Sequence, residues 1–241
     1  MKKIFIILAL TSISTGLFAF NFTSKVDGDW DNAATWDTYD GGGDYPVAGD
    51  NVAINGGVIV TVPEGFDAEC ANISMQISVG HLIVVGTLTV TNTLQVDYAS
   101  SSLIIDALGT VTVYGMLMDN GGTVTVNGIL NVTDGYINNY SIFNPSSFFI
   151  GASGTVTLNG YIDNRRTLTI DGVLSVTGGY INNSTLPASL LIGAGGEVTL
   201  LNSDIISIGT ITVDGILSVS GGDIEINDGN FNVNGEVTVS E

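Results

Sequence analysis

From Asn51 onward, apolar and small polar residues alternate one for one in runs of four or five, broken by glycine, asparagine or aspartate. Gly86-Thr87-Leu88-Thr89-Val90, Gly109-Thr110-Val111-Thr112-Val113, Gly154-Thr155-Val156-Thr157-Leu158 and Gly209-Thr210-Ile211-Thr212-Val213 are all of this kind. Period-two alternation with β-branched residues marks strands buried on one side, and the punctuating residues mark turns. Past residue 19 no stretch carries a helical period.

The pattern repeats on a longer scale. Val126-Asn127-Gly128-Ile129-Leu130-Asn131-Val132 returns as Ile170-Asp171-Gly172-Val173-Leu174-Ser175-Val176 and again as Val213-Asp214-Gly215-Ile216-Leu217-Ser218-Val219, 44 and then 43 residues apart. Repeats of this length indicate a solenoid, in which each unit buries its apolar face only by stacking on its neighbours. The unit splits further. Leu117-Met118-Asp119-Asn120, Tyr136-Ile137-Asn138-Asn139, Tyr161-Ile162-Asp163-Asn164 and Tyr180-Ile181-Asn182-Asn183 follow one another at steps of 19, 25 and 19 residues. Each step holds three short strands, as in Thr167–Ile170, Val173–Val176 and Tyr180–Ile181. The long steps carry an extra loop at Asn144-Pro145-Ser146-Ser147 or Leu186-Pro187-Ala188-Ser189.

The fold expected is therefore all-β, a right-handed parallel β-helix with three strands per coil, the handedness following the rule for parallel crossovers. About nine coils fit between Asn51 and Glu241, a stack ~43 Å long at about 4.8 Å per coil. Asn120, Asn139, Asn164 and Asn183 share the corner after the third strand. They are expected to form a ladder of stacked amides there, in the left-handed conformation that asparagine tolerates. Tyr136, Tyr161 and Tyr180 stack beside them. With alternate valines pointing inward, one outer column reads Ser102, Thr123, Ser147, Thr167, Ser189, Thr210 and Asn230. Its neighbour reads Ile104, Thr125, Phe149, Thr169, Leu191, Thr212 and Asn232. This face is a candidate contact surface, because exposed Ile104, Phe149 and Leu191 are costly unless covered.

The first sixty residues differ. Lys2 and Lys3, the apolar run Ile4–Leu10 and the small residues before Ala19 read as a secretory signal peptide over 1–19. Residues 20–62 read as an N-terminal cap and first coil, with Trp30 and Trp36 covering the stack, and 63–241 as the repeats. The segment Asp27-Gly28-Asp29-Trp30-Asp31-Asn32, Trp36 and Pro46-Val47-Ala48-Gly49-Asp50-Asn51-Val52-Ala53-Ile54, followed by Val58–Val62, resembles the opening of secreted β-helix proteins of bacteria with type IX secretion. It is also similar to the eight-glycine extracellular domain family. Ala68-Glu69-Cys70-Ala71-Asn72-Ile73 continues the match, which covers roughly residues 27–98. The resemblance implies a β-helix and a role among adhesins, matrix components or non-catalytic arms of enzymes.

Charge narrows the function classes. The chain has 24 acidic and 5 basic residues, net −19, and loss of Lys2 and Lys3 with the leader takes this to −21. Such a surface repels nucleic acid and anionic membranes, and no membrane insertion is expected once the leader is cleaved. Asp27, Asp29 and Asp31 resemble a calcium loop whose sixth and twelfth positions, Asn32 and Thr38, lack the Gly and Glu of a complete one. Calcium is the one cofactor the sequence suggests. Lone Cys70 makes no internal disulfide, and lone His81 lies beside a strand without a catalytic partner in view. Asp119 and Asp163, a carboxylate pair of the kind glycoside chemistry uses, fall on non-adjacent coils. Arg165-Arg166 replaces Gly121-Gly122 of the preceding unit, so that corner does not require positive φ.

The expectation is a secreted or cell-surface structural or adhesive protein, not an enzyme. Its partners would be copies of itself or surface glycans, met through the Thr/apolar face or through the final coil at Glu236–Val239. A carbohydrate-binding or carbohydrate-active β-helix is the alternative. An ice-binding protein is a further one, from the pairs Thr123/Thr125, Thr167/Thr169 and Thr210/Thr212, interrupted by bulky residues on every other coil.

Overall fold

A computed structural model describes residues 19–75, 79–96, 98–114, 117–140, 146–184 and 187–241, with the backbone alone for 117–119. The leader thus lies almost wholly outside the described residues, as do the loop positions Asn144, Pro145 and Leu186. The protein is an all-β parallel solenoid, 61% strand, with three strands per coil. Among the described residues the helical structure is one 3-10 turn, Ala33–Thr35, capped by the Asn32 side chain on Ala34 N–H at 3.0 Å.

Three faces run the length of the stack. The first is built from Val58–Val62, Gly80–Val84, Ser102–Ile105, Thr123–Val126, Ser147–Ile150, Thr167–Ile170, Ser189–Ile192, Thr210–Val213 and Asn230–Val233, each in parallel register with the next. The second runs from residues 67–70 through strands such as Thr110–Tyr114 and Val173–Thr177 to Glu236–Ser240. The third passes through Leu117–Asn120, 136–139, 161–164, Tyr180–Asn183 and Asp204–Ser207 to Ile224–Ile226. Eight complete coils lie between Val58 and Ile226, one fewer than the spacing suggested, because both ends of the stack carry part-coils.

Alternation does the folding work. On the second face Leu88, Val111, Leu130, Val156, Leu174, Val198 and Leu217 form an unbroken inward column, each 0% exposed. Leu103, Val124, Ile150, Leu190 and Ile211 on the first face meet them across the core, also fully buried. Each such side chain contributes about 1.5–3 kcal/mol before chain entropy is subtracted. The glycine that opens a second-face strand is dictated by closeness between coils. A Cβ on Gly172 would stand 2.3 Å from the carbonyl oxygens of Gly151 and Gly154.

The asparagine corner works by hydrogen bonding, and the left-handed expectation fails there. None of the four has positive φ; among the described residues the non-glycine residues that do are Asp134 (54°) and Asn202 (50°). Both sit at the corner between second and third strands, where glycine serves on other coils, as at Gly178 (70°) and Gly221 (67°). That turn is the sharp one. The asparagine side chains are fully buried instead. Asn120 Nδ2 donates to Asn139 Oδ1 at 2.8 Å, Asn139 to Asn164 at 2.7 Å and Asn164 to Asn183 at 2.8 Å. Each also donates to a first-face carbonyl, those of Ser147, Thr167 and Ser189 respectively.

At the other end, Asn21–Ser24 pairs parallel with Asn51–Ala53 and antiparallel with Trp36–Thr38. Trp30 and Trp36 are buried and meet edge to face, centroids 5.3 Å apart. Trp30 Nε1 donates to Pro46 O and Trp36 Nε1 to Trp30 O. Buried Asp50 closes the Pro46–Asp50 turn by accepting from Val47 N–H and Phe20 N–H, both at 2.9 Å. A buried carboxylate is tolerable when backbone donors hold it, which explains the Pro-x-x-Gly-Asp pattern physically.

Candidate functional site

The first face carries the columns read from the sequence. Thr123 pairs with Ser102 and Ser147, and Thr125 with Ile104 and Phe149. Thr167 and Thr169 lie against Ser189 and Leu191, which in turn meet Thr210 and Thr212. Ile104, Phe149 and Leu191 are partly covered by these neighbours and not freely exposed. Larger aliphatic exposures occur at Ile59 (39%) and Val233 (44%) near the two ends of the first face, and at Ile129 (44%), Ile216 (42%) and Leu201 (48%) on the second. Sequence reading missed these, since their apolar character looked like ordinary strand.

The first face has a further property. Its nine strands from Val58 to Val233 contain no Asp, Glu, Lys or Arg, and the acid of that sheet lies at its N-terminal edge, Asp29 on the short tenth strand Gly28–Asp29. The second face carries Asp67, Glu69, Glu197 and Glu236, and the third Asp119, Asp163, Asp204 and Glu225. His81 on the first face bonds through Nδ1 to Ser102 Oγ at 2.8 Å, one coil on. The signal for this charge-free strip was present in the sequence, but only after every strand had been placed in register.

The third face combines stacked rings with planar polar groups. Tyr136 and Tyr161 lie 4.7 Å apart with planes 5° from parallel, Tyr161 and Tyr180 4.9 Å apart at 14°. Burial and the neighbouring tyrosines, with Asp163, push the Tyr161 phenol up from its ordinary pKa. Beside the rings, Asp163 accepts from Arg165 Nε at 2.8 Å, Ser184 Oγ at 3.1 Å and Asn182 Nδ2 at 3.3 Å. The Arg165 guanidinium also lies 4.7 Å above the Tyr140 ring, and its hydrogen bond to Asp163 raises its pKa further. In backbone register Asp119 is separated from Asp163 by Asn138, so the two are not neighbours.

Among the described residues no group of three or more His, Cys, Asp or Glu is placed to hold a metal ion. Asp27 Oδ1 is engaged by Ile59 N–H at 2.8 Å, and Asp29 offers its carbonyl to Thr35 Oγ1. Asn32, at the sixth position of the supposed loop, is the helix-turn cap. A different ladder was overlooked here: Asn72 Nδ2 donates to Asn51 Oδ1, Asn51 Nδ2 to Asn21 Oδ1, and Asn21 Nδ2 to Asp40. At the last coil Phe231, Val233 and Val239 are 37%, 44% and 52% exposed.

No protein-family model and no curated protein matches the chain, so the resemblance of residues 27–98 rests on those residues alone. Among solved structures, the chain is similar to a TibC-catalysed, hyper-glycosylated fragment of TibA, residues 55–350. The identity is 15%, the TM-score 0.27, and the match covers 92% of this chain and 94% of that one.

Proposed function

We propose that this is a secreted, non-catalytic structural or adhesive protein of the cell surface or matrix, which associates with copies of itself through the first face. The observation that carries the reading is the charge-free strip of nine strands in a chain of net charge −19. Any two copies repel one another over most of their surface, and the repulsion is weakest where no acid lies. The strip also holds the half-covered Ile104, Phe149 and Leu191, whose burial favours contact. Nine strands at about 4.8 Å and two outward columns give roughly 400 Å² of flat face. That is about half the ~800 Å² per partner of a stable complex. Association should therefore be weak, and effective where copies are crowded.

Sedimentation velocity from low salt to about 0.5 M NaCl, and with added calcium chloride, tests this, because screening shortens the reach of the repulsion. Larger species should grow in with salt. Thr169→Asp, placing a carboxylate mid-strip, should keep the protein monomeric, while Thr199→Asp on the second face should not. A protein monomeric throughout, with measurable turnover of a polysaccharide, would overturn the reading and promote an enzyme.

A further inference from the structure

We propose that the tyrosine column on the third face, with Asn138, Asp163, Asn182, Arg165 and Ser184 beside it, is a binding strip for a neutral polysaccharide. The inference names a ligand for the surface protein proposed above and rests on that reading, but it uses a different face.

Stack geometry comes first. Rings in van der Waals contact have planes about 3.5 Å apart. The observed centroid separations of 4.7 and 4.9 Å at near-parallel planes then require each ring to slip about 3 Å past the next. The tyrosines lie like shingles, each leaving part of its π-face uncovered. The column stops at Asp204, the coil partner of Tyr180, so the last ring looks over a side chain with no ring of its own; Tyr180 is 37% exposed. The apolar C–H face of a pyranose packs on such surfaces.

Polar groups follow at the right place. Residues two apart on one strand point the same way, about 7 Å apart. Asp163 therefore stands beside Tyr161, and Asn182 beside Tyr180. Carboxamides, carboxylates and a guanidinium are flat and bidentate, and match the vicinal hydroxyls of a sugar. Asp163, Asn182, Ser184 and Arg165 already hold one another in fixed geometry, and Arg165 is braced on Tyr140. Pre-ordered groups lose little entropy when they bind. Three coils span about 10 Å, the length of two sugar residues.

Charge selects the ligand class. Asp163 is matched by Arg165 at 2.8 Å, so the ring column with its flanking polar groups is close to neutral, while Asp204 at its end and the chain around it are acidic. A neutral glycan is admitted and a polyanionic one repelled.

The test is native affinity electrophoresis in gels containing mixed-linkage β-glucan, galactomannan or dextran, with polygalacturonate as the polyanion. The wild type and the Thr169→Asp protein are run side by side, so that loss of self-association and loss of glycan binding are read separately. Both should be retarded by at least one neutral polymer and by no polyanion. Tyr180→Ala should weaken retardation about two- to tenfold, Tyr180→Phe should retain it, and Thr199→Ala on the second face should match wild type. In the wild type, saturation transfer from aromatic protons to glycan C–H protons should be seen, which does not depend on any variant folding. No retardation by any neutral polymer, equal retardation of Tyr180→Ala and wild type, stronger retardation by polygalacturonate, or absent saturation transfer would each overturn the strip.

Discussion

Replacing Asn164 by alanine removes the middle rung of the buried amide ladder. Its side chain is 0% exposed and makes three short hydrogen bonds: from Asn139 Nδ2 at 2.7 Å, to Asn183 Oδ1 at 2.8 Å and to Ser189 O at 3.0 Å. At a net worth of about 1 kcal/mol each, their loss costs about 3 kcal/mol. Asn183 Oδ1 also loses its ladder donor in a dry corner, which adds about 1 kcal/mol more. The expected destabilisation is thus about 3–5 kcal/mol, a large share of a domain's usual margin. Asn164→Asp separates shape from bonding. It keeps the outline and still accepts from Asn139, yet sets an oxygen against Asn183 Oδ1 and Ser189 O, so it should be at least as damaging. Asn182→Ala is the control, since that side chain points outward with one bond of 3.3 Å to Asp163. It should cost below about 1 kcal/mol. Equilibrium urea melts followed by circular dichroism read all three. If Asn164→Ala costs no more than Asn182→Ala, or Asn164→Asp is benign, the ladder does not stabilise the stack by hydrogen bonding.

Three further outcomes follow from other parts of the chain. Burial first, with Asp50 and Glu69 nearby, pushes the Cys70 thiol well above its ordinary range. The folded state keeps that proton while the unfolded state loses it above about pH 8.5, so stability present below that pH should fall as pH rises, by up to ~1.4 kcal/mol per unit. Cys70→Ala should flatten the slope in melts across this range, and parallel slopes would contradict the assignment. A Cβ on Gly179 would lie 1.8 Å from Gly160 O, whereas one on Gly195 would meet nothing nearer than 3.4 Å; Gly179→Ala should cost about 2 kcal/mol or more and Gly195→Ala almost nothing, with similar melting temperatures counting against the close corner. Trp30→Ala should cost about 3–5 kcal/mol and leave Trp36 more solvated, seen as a red shift of the remaining tryptophan emission; an unshifted spectrum would place the two rings apart.

How much was legible depended on whether a feature repeats. The three-strand coil and the asparagine and tyrosine columns come from residues that recur at steps of 19 and 25, and the outer columns of the first face from residues that recur at steps of 20 to 24, so periodicity alone aligns them. Asn21, Asn51 and Asn72 form a ladder too, but at separations of 30 and 21 residues within a non-repeating region, where no spacing rule applies. The left-handed corner is not legible from asparagine alone, because asparagine has two uses. A buried asparagine satisfies its amide and an exposed one supplies positive φ, and composition does not distinguish them; burial does. The charge-free strip needed all nine strands in register before an absence could be seen. Partners of Arg165 and Asp50 depend on side-chain reach across coils, which sequence separation does not encode.

The buried amide ladder has a direction, and that direction decides where the solenoid can be lengthened. It begins at Asn120, whose Oδ1 accepts from Gly122 N–H, and ends when Asn183 Nδ2 donates to Ser207 Oγ, whose hydroxyl passes the bond to Gly209 O. Both termini hand over to backbone, so the run is closed. A duplicated two-coil unit inserted between Asn120 and Asn183 brings its own donor and acceptor at each asparagine and leaves every rung paired. An asparagine coil placed after Ser207 competes with Gly209 O for the single hydroxyl proton, so one acceptor at that rung loses its donor. Growth by internal duplication is therefore free of such a loss in the middle of the stack and costs about 1–3 kcal/mol beyond its serine stop, which makes the central repeats the place where evolution, or an engineer, can change the molecule's reach without disturbing either end.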